Sequence, residues 1–275
     1  MTAEHGGAPS ADYTVDELMV ARVAGCFGND DQACNGLASF IPVCAIQLAR
    51  LTHAPDLVWI AGGSGVNPTT PRLTASTFEW PLWHDSVMYL ELYGEFWDYV
   101  SSSRLFRTFC LGAAQVDAYG NANNSVIGSF DHPRVRLPGT AGLADMTTLD
   151  KRLIYIVPDH NPRSLVERVD FRSGIGYLGG NGERERLGIG GGPELVVTNL
   201  AVLDFEPGTQ RMRLKSVHAG VTVQQVLAAT GFDPVIPPAV PVTPAPTAEQ
   251  VTLLRTVIDP DGYRKRGVAA TALRP

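Results

Sequence analysis

Two short apolar segments that each end in glycine constrain this chain most. Residues 57–60 (LVWI) run into Gly62 and Gly63, and residues 106–111 (FRTFCL) end at Gly112. Apolar runs of this length are typical of buried strands, and glycine lets the backbone turn sharply where a strand ends. The sequence therefore predicts a sheet with strand tips at which backbone amides can approach a ligand closely.

Helical patterns alternate with these strands. Thr14 and Glu17 have the spacing of a capping box, which predicts a helix that ends near residues 25–28. Gly120-Asn121 predicts a tight turn between two strands. Further helices are predicted at residues 42–51, 87–99, 223–229 and 248–257, and further strands at 153–157, 195–197, 201–205 and 212–217. Helix, short loop and apolar strand in succession indicate an α/β fold with an open sheet flanked by helices.

Three regions of different composition are expected. Residues 1–12 are predicted to be a flexible tail, and residues 13–233 to be a single domain. Residues 234–275 are predicted to form a proline-rich arm and a last helix, because the segment 234–247 contains six prolines and must be extended.

Composition excludes several classes of protein. The 275-residue chain carries a net charge of −6, which argues against a nucleic-acid-binding face. No apolar run reaches the roughly 18 residues of a membrane span, and no signal-peptide pattern is present, so we expect a cytoplasmic protein. The four cysteines form no CxxC pair, which favours free buried thiols over a metal site.

The residues alone do not assemble a known catalytic motif. Ser64 is preceded by Gly62, but Val66 stands where the nucleophile elbow of a serine hydrolase needs a second glycine. The glycine-rich segment 173–193 leads into a strand and so does not match a phosphate-binding loop. His160 and the other loop histidines are interpreted as structural. What remains is the pair of strand tips, whose amides can stabilise an oxyanion.

Several longer motifs carry a resemblance to a known family. They include GAAQVDAYGNANNSVIG (112–128), NGERERLGIGGGPELVVTN (181–199) and FEPGTQRMRLKSVHAGVT (205–222). The chain resembles the β subunit of family I CoA-transferases over residues 15–262, that of glutaconate CoA-transferase included. The resemblance implies the α/β fold of that family and a separately encoded α subunit in an α2β2 assembly. It also implies active sites between α and β, with coenzyme A entering as part of the substrate and no permanently bound cofactor.

The resemblance also identifies a missing residue. Transferases of this family carry a glutamate at the first strand tip, which forms an anhydride and then an enzyme–CoA thioester. The matching position here is Gly62 or Gly63, and glycine cannot act as a nucleophile. We therefore expect non-covalent hydrolysis or decarboxylation of a dicarboxylic or cyclic keto acyl-CoA. A transferase with its nucleophile elsewhere and a non-catalytic scaffold for the α subunit are the alternatives.

These considerations predict the residues of a substrate pocket without a metal. Gly62, Gly63 and Ser64 would line the space that the glutamate vacates. The amides of Gly112 and Ala113 would face the thioester oxygen. Gln115, Asp117 and Asn123 would orient the turn that follows. The aromatic segment 78–99 and the glycine-rich segment 173–193 are the expected interface elements.

Overall fold

The computed structural model describes residues 8–36, 39–61, 65–76, 80–91, 94–101, 107–149 and 151–271. The chain divides into two units, of which the first comprises residues 1–111 and 244–275 and the second residues 112–243. The predicted boundaries, after residues 12 and 233, are not those of the two units. The predicted division into a tail, a domain and an arm stays a prediction. Of the predicted tail, Pro9 pairs with Thr247 and Ser10 N–H donates to Pro246 O, whereas residues 1–7 lie outside the described residues.

The first unit contains a sheet in which parallel strands continue into an antiparallel edge. Its order is β5-β1-β2-β3-β4, with β1 parallel to β5 and β2 and with β3 antiparallel to both of its neighbours. The elements are α1 (Val15–Ala24), β1 (Gln32–Asn35), α2 (Phe40–Leu51), β2 (Val58–Ala61), β3 (Gly65–Pro68), α3 (Trp80–His84), β4 (Ser86–Tyr89), α4 (Glu95–Ser101), β5 (Thr108–Gly112) and α8 (Ala248–Leu253), with a π-helical turn (Leu254–Ile258) and a 3-10 turn (Tyr263–Lys265) after it.

Trp59 organises the middle of this sheet. Its side chain is fully buried on β2, and its indole N–H donates to Asn35 Oδ1 on β1 at 2.9 Å. Its backbone N–H donates to Asn67 Oδ1 at 2.7 Å, and Asn67 adopts a left-handed conformation with φ of 47°. Asparagine tolerates that conformation better than most residues do. Strand β3 is thus held to β2 by the Asn67 side chain as well as by the backbone.

The C-terminal segment returns to the first helix through buried charges. The Arg264 guanidinium lies 2.8 Å from carboxylate oxygens of Asp16 and Glu17 and 2.9 Å from Asp259 Oδ2. All four side chains are almost fully buried, so these charges depend on each other for solvation. Arg255 adds a second cation at 2.8 Å from Glu17.

The second unit contains four sheet strands in the order β14-β13-β12-β10, of which β10 and β12 are parallel and the other pairs antiparallel. A small sheet, β11-β6-β7, and a hairpin, β8–β9, accompany them. The elements are β6 (Gln115–Asp117), β7 (Ala122–Asn123), β8 (Val126–Gly128), β9 (Pro133–Arg136), α5 (Leu143–Thr148), β10 (Lys151–Val157), β11 (Leu165–Val166), α6 (Glu183–Arg186), β12 (Gly191–Thr198), β13 (Ala201–Phe205), β14 (Met212–Val217) and α7 (Val223–Ala229).

Part of the proline-rich segment runs beside β14 as an extended chain. Val235 and Val242 form isolated bridges to Arg213 and Val217. The carbonyls of Val235 and Pro241 accept hydrogen bonds from Leu214 and Val217, at 2.9 and 3.0 Å. Proline lacks an N–H, so the segment can accept from an edge strand repeatedly without becoming a continuous strand itself.

The α/β prediction is confirmed, and so are the predicted helices that begin at Thr14, Thr222 and Thr247, each of which caps its helix with a capping box. The tight turn at Gly120-Asn121 is confirmed by the antiparallel pairing of β6 with β7. The helix predicted at residues 87–99 is confirmed for its last part, which lies in α4, and is wrong for its first part. Residues 86–89 form edge strand β4, on which Val87 and Tyr89 are exposed and not packed on a helix face.

All four cysteines are buried and lie outside any disulfide bond, as predicted. Burial raises the pKa of Cys34 to about 12, so its thiol is neutral at physiological pH. Within the described part of the chain, no helix combines the length and the apolar character that crossing a membrane requires.

Candidate active site

The structure describes part of the predicted pocket. Gly62, Gly63 and Ser64 lie outside the described residues, so their contribution stays a prediction. The other predicted site residues lie at the start of the second unit: Gly112, Ala113, Gln115, Asp117 and Asn123. They occupy the end of β5, strands β6 and β7, and the short connection between β5 and β6.

Asn124, which sequence reasoning missed, holds this connection in place. Its Nδ2 donates to Gly112 O at 3.0 Å, and its Oδ1 accepts from Ala114 N–H at 2.8 Å. The Ala113 N–H, by contrast, has no acceptor among the residues that the structure describes. A half-exposed amide without a partner is available to a ligand oxygen. The role of Gly112 and Ala113 as oxyanion donors stays a prediction.

Gly112 is open to solvent. A Cβ atom added to it would meet nothing within 4 Å, and its backbone φ is not positive. No described neighbour therefore requires glycine at this position, and the expected close approach to a ligand stays a prediction.

Gln115 is clamped by two side chains. Its Oε1 accepts from Asn123 Nδ2 at 2.7 Å and from the Asp170 N–H at 3.1 Å. Its Nε2 donates to Asp170 Oδ2 at 3.3 Å, and the same carboxylate oxygen accepts from Gly128 N–H at 2.8 Å. Because its oxygen only accepts and its nitrogen only donates in these hydrogen bonds, the Gln115 carboxamide has one orientation.

Asp117 organises the turn that follows rather than facing open space. Its Oδ1 accepts from the backbone N–H groups of Tyr119 and Asn121, each at 3.0 Å, and the Asn121 side chain donates to both carboxylate oxygens. Burial raises the pKa of Asp117, although these hydrogen bonds act in the opposite direction. Asn121 extends the network to the glycine-rich segment by donating to Leu178 O and accepting from Gly176 N–H.

A cleft of about 720 Å³ begins at the strand tip. Ala113, Ala114 and Gln115 form part of its lining, together with residues of the β8–β9 hairpin and of the loop that follows β10. Apolar side chains such as Ile127, Val135 and Val157 make up most of the walls. Its volume lies in the range of pockets that bind small molecules and cofactors.

The buried histidines of this unit are structural, as predicted for His160. Its ring nitrogens lie 2.9 Å from the hydroxyls of Thr198 and Thr230. His218 donates to Thr198 O and contacts Thr243 Oγ1. Burial lowers the pKa of both histidines to about 4, so both are neutral at pH 7. Since their nitrogens are occupied, neither can exchange a proton with a ligand in the cleft.

Asp170 and Asn124 are the residues that sequence reasoning missed at this site. Asn124 lies next to the predicted Asn123 in the run GNANN, so a local signal for it existed. Asp170 is 55 residues away from Gln115, and no spacing rule connects such a pair. Among the described residues, histidine, cysteine and carboxylate side chains form no group of three or more that could hold a metal ion.

Comparison with known proteins places these features in a family. A family model for coenzyme A transferase matches residues 94–229. The chain is 33% identical to the B-type subunit of 3-oxoadipate CoA-transferase from Pseudomonas knackmussii, over 89% of this chain and 93% of that protein. It is 32% identical to the cholesterol ring-cleaving hydrolase IpdB subunit of Rhodococcus jostii, over 83% and 86% of the two chains.

A solved structure is similar over almost the whole chain. The crystal structure of the decarboxylase AibA/AibB superposes with a TM-score of 0.82 at 29% identity and covers 94% of this chain and 100% of its own. A transferase, a hydrolase and a decarboxylase thus share nearly the same sequence identity with this chain, 33%, 32% and 29%.

Proposed function

The chain belongs to the coenzyme A transferase family as a β subunit, and we propose on that premise that it acts on an acyl-CoA thioester together with a separate α subunit. The relatives support this partner, since two of them are B-type subunits by name and the third is a complex of AibA with AibB. We propose an α2β2 assembly in which the α subunit completes the active site. Coenzyme A would enter as part of the substrate, without a permanently bound cofactor.

The observation that carries the choice of reaction is the sequence between β2 and β3. From Ala61 to Pro68 it reads AGGSGVNP and contains no carboxylate. A covalent transfer of CoA needs a nucleophile that forms an acyl-enzyme anhydride, and glycine and serine do not form one. We therefore propose that this subunit supports hydrolysis or decarboxylation of a dicarboxylic or cyclic keto acyl-CoA.

The strand tip supplies what such a reaction needs from this subunit. The unpaired Ala113 N–H would donate to the thioester oxygen as negative charge develops there. The fixed carboxamide of Gln115 would mark one side of the pocket, and Asn124 would keep the Ala113 amide in its orientation. Because no free acid or base of this chain is committed to the reacting carbon, the α subunit would supply the general acid or base.

The test is a product assay on the purified complex of this chain with its α subunit. Candidate acyl-CoA thioesters are incubated with and without a second carboxylic acid, and free CoA thiol, carbon dioxide and new acyl-CoA are measured separately. We expect free thiol or carbon dioxide at a rate that does not depend on the second acid. Formation of a new acyl-CoA would contradict the proposal, and so would full activity of the α subunit alone, which would make this chain a scaffold.

A further inference from the structure

A cavity of about 130 Å³ lies beside the last turn of α2 in the first unit. Gln47, Arg50 and Leu51 of α2 line it on one side, and Pro55 and residues 68–71, at the end of β3, line it on the other. The cavity opens to solvent past Leu51, which is 44% exposed. Since a water molecule takes up about 30 Å³ in the liquid, there is room for a small organic molecule.

Arg50 brings a positive charge to this cavity without a carboxylate to balance it. Its Nη1 donates to Pro68 O at 3.1 Å, whereas Nε and Nη2 have no acceptor among the residues that the structure describes. None of the described residues that line the cavity is acidic. Burial lowers the pKa of Arg50, but arginine stays protonated at pH 7. The cavity therefore presents a charged donor group to which a small anion can bind.

Two further polar groups of the cavity lack partners within the described part of the chain. The hydroxyl and the backbone N–H of Thr70 donate to no described residue. Gln47 is buried, and its Nε2 donates to Thr70 O at 3.4 Å, which sets the orientation of its carboxamide. Its Oε1 is buried and accepts no hydrogen bond from a described residue. Because a buried acceptor without a donor costs free energy, a ligand hydroxyl that donates to Oε1 would be stabilised there.

We propose that this cavity binds a small hydroxycarboxylate, whose carboxylate lies on Arg50 and Thr70 and whose hydroxyl donates to Gln47 Oε1. Gln47 and Arg50 are three residues apart on α2, so they lie on one face of the helix and can contact the same ligand. An ammonium group in place of the hydroxyl would be repelled by Arg50, which favours a hydroxy acid over an amino acid. The inference does not depend on the proposed function, since none of these residues takes part in it.

The end of α2 does not prevent an anion from binding here. A helix C-terminus carries a partial negative charge on its last carbonyl groups. In α2, the carbonyl of Ala49 accepts from three N–H groups that follow the helix, and Leu48 O accepts from the Thr52 hydroxyl at 2.7 Å. Because these carbonyls are already paired, the full charge of Arg50 outweighs the partial charge that remains.

The experiment is calorimetric titration of the complex with its α subunit, with L-lactate, propionate and lactamide as separate probes. Propionate lacks the hydroxyl group of lactate, and lactamide lacks its charge. We expect wild type to bind L-lactate. Propionate should bind about threefold to tenfold more weakly, as the loss of a neutral hydrogen bond predicts, and lactamide about tenfold more weakly or less still.

Three variants of the cavity assign the contacts. R50Q should weaken lactate binding by about tenfold or more and should remove the preference for lactate over lactamide. Q47M should remove the preference for lactate over propionate, an effect that a purely structural role of Gln47 would not produce. T70V should weaken the binding of both carboxylates by about threefold.

The matched control is R22Q. Arg22 lies on α1 and does not line the cavity, so R22Q removes one positive charge from the same unit without changing the site. Its affinity for lactate should equal that of wild type. Thermal unfolding checks that each variant is folded.

Three results would overturn the inference. If the wild-type complex binds none of the three probes, the cavity is not a carboxylate site. If R50Q binds lactate as wild type does, or if R22Q weakens binding as much as R50Q, the anion does not lie on Arg50. If wild type binds lactate and propionate equally, the assignment of a hydroxyl group to Gln47 is wrong. None of these results affects the product assay with acyl-CoA, whose failure would overturn the proposed function alone.

Discussion

Asn124 Oδ1 accepts a hydrogen bond from the Ala114 N–H at 2.8 Å, and the same N–H also donates to Asn123 O at 3.2 Å. The same side chain donates to Gly112 O at 3.0 Å, so both sides of Ala113 are fixed while its own N–H has no acceptor among the described residues. A donor that is rigid before the ligand arrives needs no reorganisation during the reaction.

Replacing Asn124 by alanine should reduce turnover more than substrate binding. We expect N124A to lower kcat by about tenfold to a hundredfold, because the Ala113 amide loses its fixed orientation. KM should change by less than about threefold. Steady-state kinetics of the complex with its α subunit measure both quantities.

N124D is the matched variant. Aspartate keeps an acceptor for the Ala114 N–H but cannot donate to Gly112 O, so its kcat should lie between those of wild type and N124A. If N124A left kcat unchanged while the complex remained folded, the strand tip would not be the site of the oxyanion.

The turn that Asp117 and Asn121 form should matter for stability. N121A removes the side chain that bonds to Asp117, Leu178 O and Gly176 N–H, and leaves buried polar groups without partners. We expect it to lower the free energy of unfolding by about 2–3 kcal/mol. D131N, a change at an exposed position of the same unit, should have no measurable effect in the same urea titration. Equal midpoints for N121A and wild type would show that the network contributes nothing.

The elements that could be predicted from the sequence are those whose residues form a continuous apolar run. Residues 58–61 and 153–157 are continuous apolar runs, and β2 and β10 lie there. Strand β1 (QACN) escaped prediction because its ends are polar, and the buried Asn35 side chain has its partners in Trp59 Nε1 and Gly36 O. Strand β4 was mistaken for a helix because its exposed Val87 and Tyr89 belong to a series of aromatic and apolar residues that also fits a helical face.

The residues of the candidate site also fall into those that could be predicted from the sequence and those that could not. Gly112, Ala113 and Gln115 could be found because they follow a recognisable strand within a few residues. Asp170 could not, since its role depends on a contact across 55 positions with Gln115.

Stability should fall in acid because of the two buried histidines. The pKa of His160 and of His218 is about 4 in the folded chain, below the usual value of 6.5. Between these values the unfolded chain binds protons that the folded chain does not, so folding free energy is lost as the pH falls from about 6.5 to about 4. Each histidine can account for about 3 kcal/mol over that window.

Urea titrations at pH 7, 6, 5 and 4 measure this dependence. H218Q, which keeps hydrogen-bonding capacity without a titrating ring, should be less stable at pH 7 but should show a smaller loss between pH 6.5 and 4. If the wild-type chain and H218Q lost stability in parallel, the histidines would not be responsible.

The buried charges of the first unit predict a large effect of a single arginine. R264M leaves Asp16, Glu17 and Asp259 with less positive charge nearby, and we expect a loss of about 3–5 kcal/mol. R72Q removes the exposed ion pair with Asp261 and should leave the unfolding midpoint unchanged within error. Thermal unfolding of the two variants measures this difference. Equal shifts of the two unfolding midpoints would contradict the expected effect of the buried charges.

We expect no covalent CoA intermediate to form on this chain, and the intact mass of the chain tests this expectation most directly. The complex with its α subunit is mixed with a substrate acyl-CoA, treated with borohydride to trap any glutamyl thioester, and analysed by mass spectrometry. A family transferase that carries the glutamate serves as the positive control. We predict an unchanged mass for this chain while substrate is consumed. A mass increased by CoA, or decreased as reduction of a carboxyl thioester to an alcohol requires, would contradict the account.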